Sequence, residues 1–426
     1  MMEDLEQYGR EAVALRRKIH RRPEEGWTEF ETEWLVVNKL RELGWTLKTG
    51  TQAVKPEAIM GRNEDIVAKA EERAREHGVP QAFLDEIEGY TGVIAEFDTG
   101  RPGPFTGFRF DMDCVMVEES TDASHLPAAE GFASEIPGVM HACGHDGHTA
   151  SGLALAHWIV DNKDKLCGRF RLIFQPAEEG TRGGFPMAEA GAVDGLDWFY
   201  GAHVGTVCGT GELGVCRAGF LATSKIDIRF TGMPSHAGSD PEKGRSALTA
   251  AASAALMMQG IPRHGQGMTR IAVGKLVAGE GRNVTPVHAL LQVETRGETH
   301  EINEYMTESV RKIAEGCAEA VGVKVEVAVV GQGTTLKTTE EGCRMLEAVC
   351  NEVAPGHVKT LDSFSGSEDC TWLCKRAVEQ GAQTAYLLYG CRHHGHHRAD
   401  FEIQDTESLP FALKVFTGLC TRINGR

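Results

Sequence analysis

The sequence predicts an α/β protein in which an open sheet flanked by helices is interrupted by a smaller α+β domain. Between Tyr90 and Val204, short apolar runs bounded by Gly and Pro alternate with helical segments, and polar residues collect at the strand ends; that is the pattern of an open α/β sheet. From Gly219 the order becomes strand, helix, strand, strand, helix, strand, which is the ferredoxin-like split βαβ arrangement and suffices for a domain of its own. At 426 residues the chain also exceeds the usual size of one core. The expected division is 1–218 for the first part of the larger domain, 219–333 for the insertion and 334–426 for the second part.

Element by element, residues 4–46 read as two helices, with Leu15 and Ile19, then Trp34, Leu35, Val37, Leu40 and Leu43 at helical spacing, ended by Gly44. The charged stretch Asn63–His77 lacks strand alternation and reads as a surface helix. TGVIAEFDTG and FTGFRFDMD read as strands, HTASGLALAHWIV as a helix of small residues, RFRLIFQPAEEG as a buried strand entering a loop, MAEAGAVDGL as a helix and DWFYGAHV as a strand. In the insertion, LATSKIDIRFTG, TRIAVGKLVAG, HALLQVETRGET and KVEVAVVG are strands, and SALTAAASAALMMQGI and INEYMTESVRKIAEGCAEAVG are helices. The chain then returns through a helix, an SGSED loop, a strand at TAYLLYG, a His-rich loop and a final helix.

Composition excludes several function classes. The net charge of −17 repels nucleic acid and anionic membranes. No apolar run approaches 18 residues and the N-terminus reads as a charged helix, so neither a membrane span nor a signal peptide is expected and the chain reads as cytoplasmic. The 12 cysteines form no CxxC pair and read as free, mostly buried thiols. Cys370 and Cys374 in CTWLC fall on one face of a helix and read as structural.

Cys143 is the exception, because Met140–His148 reads MHACGHDGH and places three histidines and a cysteine within nine residues. Thiolate and imidazole together suit zinc- or manganese-class ions. In RFDMD, Asp111 and Asp113 alternate at a strand end and share one side of it, although a solvated strand end would look the same. QPAEEG brings Glu178 and Glu179 together; adjacent carboxylates call for nearby positive charge. One of them bound to a metal and the other free to accept a proton is what hydrolytic metal chemistry needs. His203 in GAHV ends an otherwise apolar strand, and GHHRADF lies in a run with four histidines, of which His393 and His394 read equally as surface residues.

Together DMD, HACGHDGH, QPAEEG, AHVG, SHAG and the final HH–F resemble, in order from Arg109 to Phe401, the M20 metallopeptidase family and its aminoacylase and amidohydrolase branch. The resemblance implies a mixed-sheet, zinc-peptidase-like catalytic domain with an inserted ferredoxin-like lid or dimerisation domain. It implies two divalent metal ions, Mn or Zn, held by Cys143, His145, Glu179, His203 and His397. Glu178 would be the general base and acid, and Asp113 would orient a ligand. His397 is preferred to His396 because it stands four residues before Phe401, although Arg398 and Ala399 replace the family's usual Asn or Ser and Pro. His236 in TGMPSHAGSD matches the family histidine that reaches the reaction centre; by itself it reads as a turn residue beside Pro234 and Gly238. Asn283 in GRNVTP and Arg296 in VETRGE match positions that contact the substrate terminus, and an arginine fork suits a carboxylate. A surface salt bridge is the plain alternative for Arg296.

The implied substrate is a small N-acyl or N-aroyl amino acid, with no nucleic acid or membrane partner. The charged segment between Gly50 and Tyr90, followed by EGYTGVIA, resembles the subgroup that splits p-aminobenzoyl-glutamate into p-aminobenzoate and glutamate. A homodimer, or a heteromer with a related subunit through the insertion, is expected on the same ground. The competing readings are a general aminoacylase or dipeptidase, a non-catalytic relative that binds conjugates, and a cysteine hydrolase using Cys143 as nucleophile.

Overall fold

A computed structural model describes residues 5–363 and 366–426. Ser365 of the expected SGSED loop therefore lies outside the described residues. The chain forms two compact units: the described residues of 1–219, 336–364 and 368–426, and those of 220–335 and 365–367.

In chain order the strands are β1 (Thr46–Thr49), β2 (Val93–Asp98), β3 (Phe105–Asp111), β4 (Arg169–Gln175), β5 (Trp198–Val204) and β6 (Leu213–Cys216). They continue with β7 (Ala222–Thr231), β8 (Thr269–Ala278), β9 (His288–Gly297), β10 (Lys324–Gly333), β11 (Val358–Leu361) and β12 (Gln383–Tyr389). The first unit is built on an eight-stranded sheet in the order β1-β2-β4-β3-β5-β12-β6-β11. Its centre is parallel: β4, β3, β5 and β12 run the same way, whereas β1, β2 and β6 pair antiparallel with their neighbours. The mixed sheet is thus as expected. The central strands are buried nearly end to end, which is why they read as continuous apolar runs rather than as alternation.

The helix His145–Asp161 packs against β3 and is buried along most of its length. Its Gly, Ala and Ser residues explain the weak amphipathic signal of that stretch. The charged helix Glu64–Glu76 is capped by Asn63, whose side chain accepts the Asp65 and Ile66 N–H groups, and turns Val67, Ala70 and Ala74 inward. Strands β1, β6 and β11 and the helices Gln81–Ile87 and Leu126–Glu130 have no counterpart in the sequence reading. Each is seven residues or shorter, too short to establish a period.

The second unit is a four-stranded antiparallel sheet in the order β10-β7-β9-β8, carrying the helices Ala247–Gln259 and His300–Val321. Its core joins Ile226, Ile228 and Phe230 of β7 to Ala250, Ala254, Val310 and Ala314 of the helices. The order is that of the split βαβ motif. All 12 cysteines are free, and all but Cys167 are buried. Among the described residues no helix is long and apolar enough to cross a membrane.

Candidate metal centre

The central strands of the first unit end on one edge of the sheet, and there the chemistry-bearing residues meet. β3 ends in Asp111 and runs on to Asp113, β4 ends in Gln175 just before Glu178 and Glu179, β5 ends in His203–Val204, and β12 ends shortly before the histidine run. Such an edge is where open α/β sheets place their sites. Gly144, between Cys143 and His145, caps the His145–Asp161 helix with φ 92°. A Cβ there would lie 2.5 Å from Val204 Cγ1, so glycine is what lets both flanking side chains close on β5.

Cys143 Sγ lies 3.5 Å from His203 Nε2 and 3.5 Å from His396 Nδ1. Nδ1 of His203 is 2.8 Å from the Val204 carbonyl, which only accepts, so the proton sits on Nδ1 and Nε2 offers its lone pair. His396 is arranged the other way, because its Nε2 accepts the Thr206 N–H at 3.1 Å, leaving the proton on Nδ1 toward the sulfur. His397 Nε2 lies 3.0 Å from Glu179 Oε1. His148 is fully used: Nδ1 donates to Asp111 at 2.5 Å and Nε2 accepts the Val204 N–H at 3.0 Å.

Asp113 connects two predicted ligands, one oxygen 3.2 Å from His145 Nδ1 and the other accepting the Glu179 N–H at 2.9 Å. His145 Nε2 is then left buried without a hydrogen-bond partner, with Asp111 at 3.7 Å and Glu178 at 3.9 Å. A buried lone pair facing carboxylates is the environment a cation completes. Two donor groups share the cysteine: Cys143 with His203 and His396, and Cys143 with Glu179 and His397; His145, Glu178 and Glu179 form a third. These sulfur, nitrogen and carboxylate donors fit divalent ions of the zinc and manganese class.

The electrostatics agree with that fit. Burial lowers the proton affinity of His145, but Asp111 and Asp113 outweigh it and raise its pKa to about 10, a measure of the negative potential a cation would meet. His203 is held well below its ordinary value by burial and then by His148 and His396, hence neutral and able to ligate. Burial, with Glu179 and Glu178, pushes the Cys143 thiol well up. A nucleophilic cysteine needs the opposite shift, whereas a bound metal supplies the thiolate. Glu178 is raised by burial and then by Glu368 and Glu179, the direction suited to a group that must both take and give a proton.

Sequence reasoning missed the support behind these residues. Arg109, fully buried, donates to Asp111 at 2.6 Å, to Gln175 at 2.8 Å and to Glu368 at 2.9 Å, and lies 3.3 Å from Asp369. Glu368 also accepts the Tyr386 hydroxyl and the Cys370 N–H, and with Asp369 it stands within ligand distance of Glu178. The only sequence signal was acidic residues in SGSED, which read as a loop.

The remaining predicted residues lie in the second unit. His236 is exposed, and its Nδ1 accepts the Gly238 and Ser239 N–H groups at 3.1 Å each, so Nε2 carries the proton as an outward donor. Asn283 is beside it, its carbonyl accepting the Ala237 N–H at 3.1 Å. Arg296 is half-buried on β9 and donates to Glu294 at 3.0 Å, so the structure gives it an intramolecular partner.

Residues 107–422 match peptidase family M20/M25/M40. The chain is 42% identical over 414 residues to a p-aminobenzoyl-glutamate hydrolase homolog of Haemophilus influenzae, covering 96% of this chain and 98% of that one. It is 43% identical over 420 residues to the indole-3-acetyl-aspartic acid hydrolase of Enterobacter agglomerans, covering 97% and 95%. Its fold is similar to the crystal structure of an aminobenzoyl-glutamate utilization protein from Klebsiella pneumoniae, with a TM-score of 0.84 at 36% identity over 99% of this chain and 97% of that chain.

Proposed function

The chain belongs to peptidase family M20/M25/M40, and on that premise we propose that it hydrolyses the amide bond of N-acyl and N-aroyl amino acids, p-aminobenzoyl-glutamate first among them. The observation that carries this is the convergence of Cys143, His145, Glu179, His203 and His397 beside an unliganded carboxylate, Glu178. The relatives' names supply the substrate class: one joins an aroyl group to glutamate, the other an arylacetyl group to aspartate.

Cys143, shared by two donor groups, supports a pair of divalent ions, Mn or Zn, with Glu179 and His397 on one side and His203 on the other. His397 is favoured over His396 because the latter's ring turns a proton toward the sulfur. When bound, the ions supply Lewis-acid polarisation of the amide carbonyl and a lowered pKa for the attacking water. Glu178 takes the proton from that water and delivers it to the leaving nitrogen. Asp113 fixes both the tautomer of His145 and the backbone of Glu179. His236, with Nε2–H outward, would donate to the developing oxyanion. Asn283 and Arg296 would hold the substrate carboxylate, Arg296 exchanging Glu294 for it.

A panel of N-acetyl, N-benzoyl, indole-3-acetyl and p-aminobenzoyl amino acids tests the specificity. The expected result is highest kcat/KM on the glutamate and aspartate conjugates of aromatic acids. Rapid turnover of N-acetyl amino acids with p-aminobenzoyl-glutamate untouched would favour the general aminoacylase reading instead. As to partners, β8 is an edge strand, and Leu248, Leu256, Met257, Leu276 and Val277 of the second unit are exposed. An apolar patch beside an open strand edge supports self-association or pairing with a related chain through this unit. Sedimentation should show a dimer that L256E/V277E converts to monomer; a monomeric parent, alone and with the related chain, would rule this out.

A further inference from the structure

The loop that carries Glu178 and Glu179 is backbone-strained. Ala177 has φ 51° and Thr181 φ 58°, left-handed values that cost non-glycine residues about 1–3 kcal/mol each unless their surroundings hold them. One restraint comes from the helix Phe30–Glu42, where the capping residue Glu29 accepts the Ala177 N–H at 2.7 Å. A second is Arg182. Its Nε donates to the Glu179 carbonyl at 2.9 Å, and its Nη1 donates to the Gly61 carbonyl at 3.3 Å. Its guanidinium makes no ion pair among the described residues, so its charge is spent on backbone carbonyls.

Gly61 belongs to the segment between Gly50 and Tyr90 that has no part in the chemistry above. Its turn is held firmly at both ends. Trp27, buried and itself at φ 73°, donates its indole N–H to the Met60 carbonyl at 2.9 Å. Arg62 donates to the Gly89 carbonyl at 3.0 Å and lies over the Tyr90 ring. Gly26, next to Trp27, completes the closure: a Cβ there would lie 2.4 Å from Arg182 Nη2 and 2.8 Å from Ala177 Cα. The loop before the Phe30–Glu42 helix, the Met60–Gly61 turn and the carboxylate loop are therefore tied in a ring.

We propose that Arg182 is a positioning residue for the Glu178–Glu179 pair, and that the Gly50–Tyr90 segment serves as the fixed anchor to which it clamps their loop. This rests on the roles assigned to Glu178 and Glu179 above. Arg182 touches no reacting atom; it limits the excursion of the loop, and a displacement of about 1 Å there is enough to cost on the order of 100-fold in rate.

The test compares R182M, R182K, W27F and the double variant W27F/R182M in the metal-loaded protein, with E178Q alongside. Turnover of p-aminobenzoyl-glutamate by R182M should fall about 10–100-fold in kcat with KM little changed, and R182K, which keeps one donor, should recover part of it. Amide exchange of residues 177–183 should quicken in R182M and in W27F. The double variant should be no worse than R182M, because both remove struts to one turn. Turnover and exchange of R182M within twofold of the parent would overturn the proposal, as would additive losses in the double variant. If E178Q keeps full turnover the assignment of the base fails, whatever R182M does. If E178Q is inactive and R182M is normal, only the clamp fails.

Discussion

Replacing Glu178 with alanine is expected to lower kcat about 10²–10⁴-fold while bound metal stays at the parent level. Two features separate Glu178 from the ligands around it. It stands beside Glu368 and Asp369 as well as beside His145 and Glu179, so its carboxyl group faces a second acidic pair in addition to the donors. Burial, Glu368 and Glu179 together raise its proton affinity, which favours a proton carrier over an ion anchor. A non-catalytic conjugate binder has no use for such a group. Steady-state kinetics with elemental analysis of the same preparation checks the prediction; unchanged turnover would remove Glu178 from the mechanism, and a parallel loss of metal would make it a ligand.

The Cys143→Ala variant is expected to lose both metal and activity. Cys143 is common to two donor groups, so its removal weakens both positions at once. The loss in metal affinity should exceed the about 10–100-fold that follows removal of a ligand's outer hydrogen-bond partner. The same variant separates the metal from the nucleophile reading. A nucleophilic Cys143 would leave metal content intact when replaced, and the parent would stay active in chelator. Burial and the neighbouring carboxylates hold the thiol protonated, and neither His203 nor His396 is an imidazolium that could lower it. Elemental analysis and residual turnover distinguish the two.

The main frame was legible because each element carried a strong period or a short apolar run with clear punctuation. β7 alternates buried and exposed residues over its length, and the Glu64–Glu76 helix shows its cap and inward Val67, Ala70 and Ala74. The donors were legible because Cys143 and His145 stand two residues apart at a helix start, a local pattern. What was not legible depends on tertiary proximity. Arg109 meets Glu368 across 259 positions, and no spacing rule connects RFDMD to SGSED. The choice between His396 and His397 turned on which ring nitrogen accepts the Thr206 N–H, a contact across 190 positions. The role of the Gly50–Tyr90 segment was hidden for the same reason: Arg182 reaches Gly61 across 121 positions.

The central claim is that this carboxylate, imidazole and thiolate edge works as a two-metal hydrolytic site on amino-acid conjugates. Metal content per chain, titrated against turnover of p-aminobenzoyl-glutamate during chelation and re-addition of Mn or Zn, tests it most directly. The expected result is turnover that falls as two ions per chain are withdrawn and returns when they are restored. Full turnover by metal-free protein would contradict it.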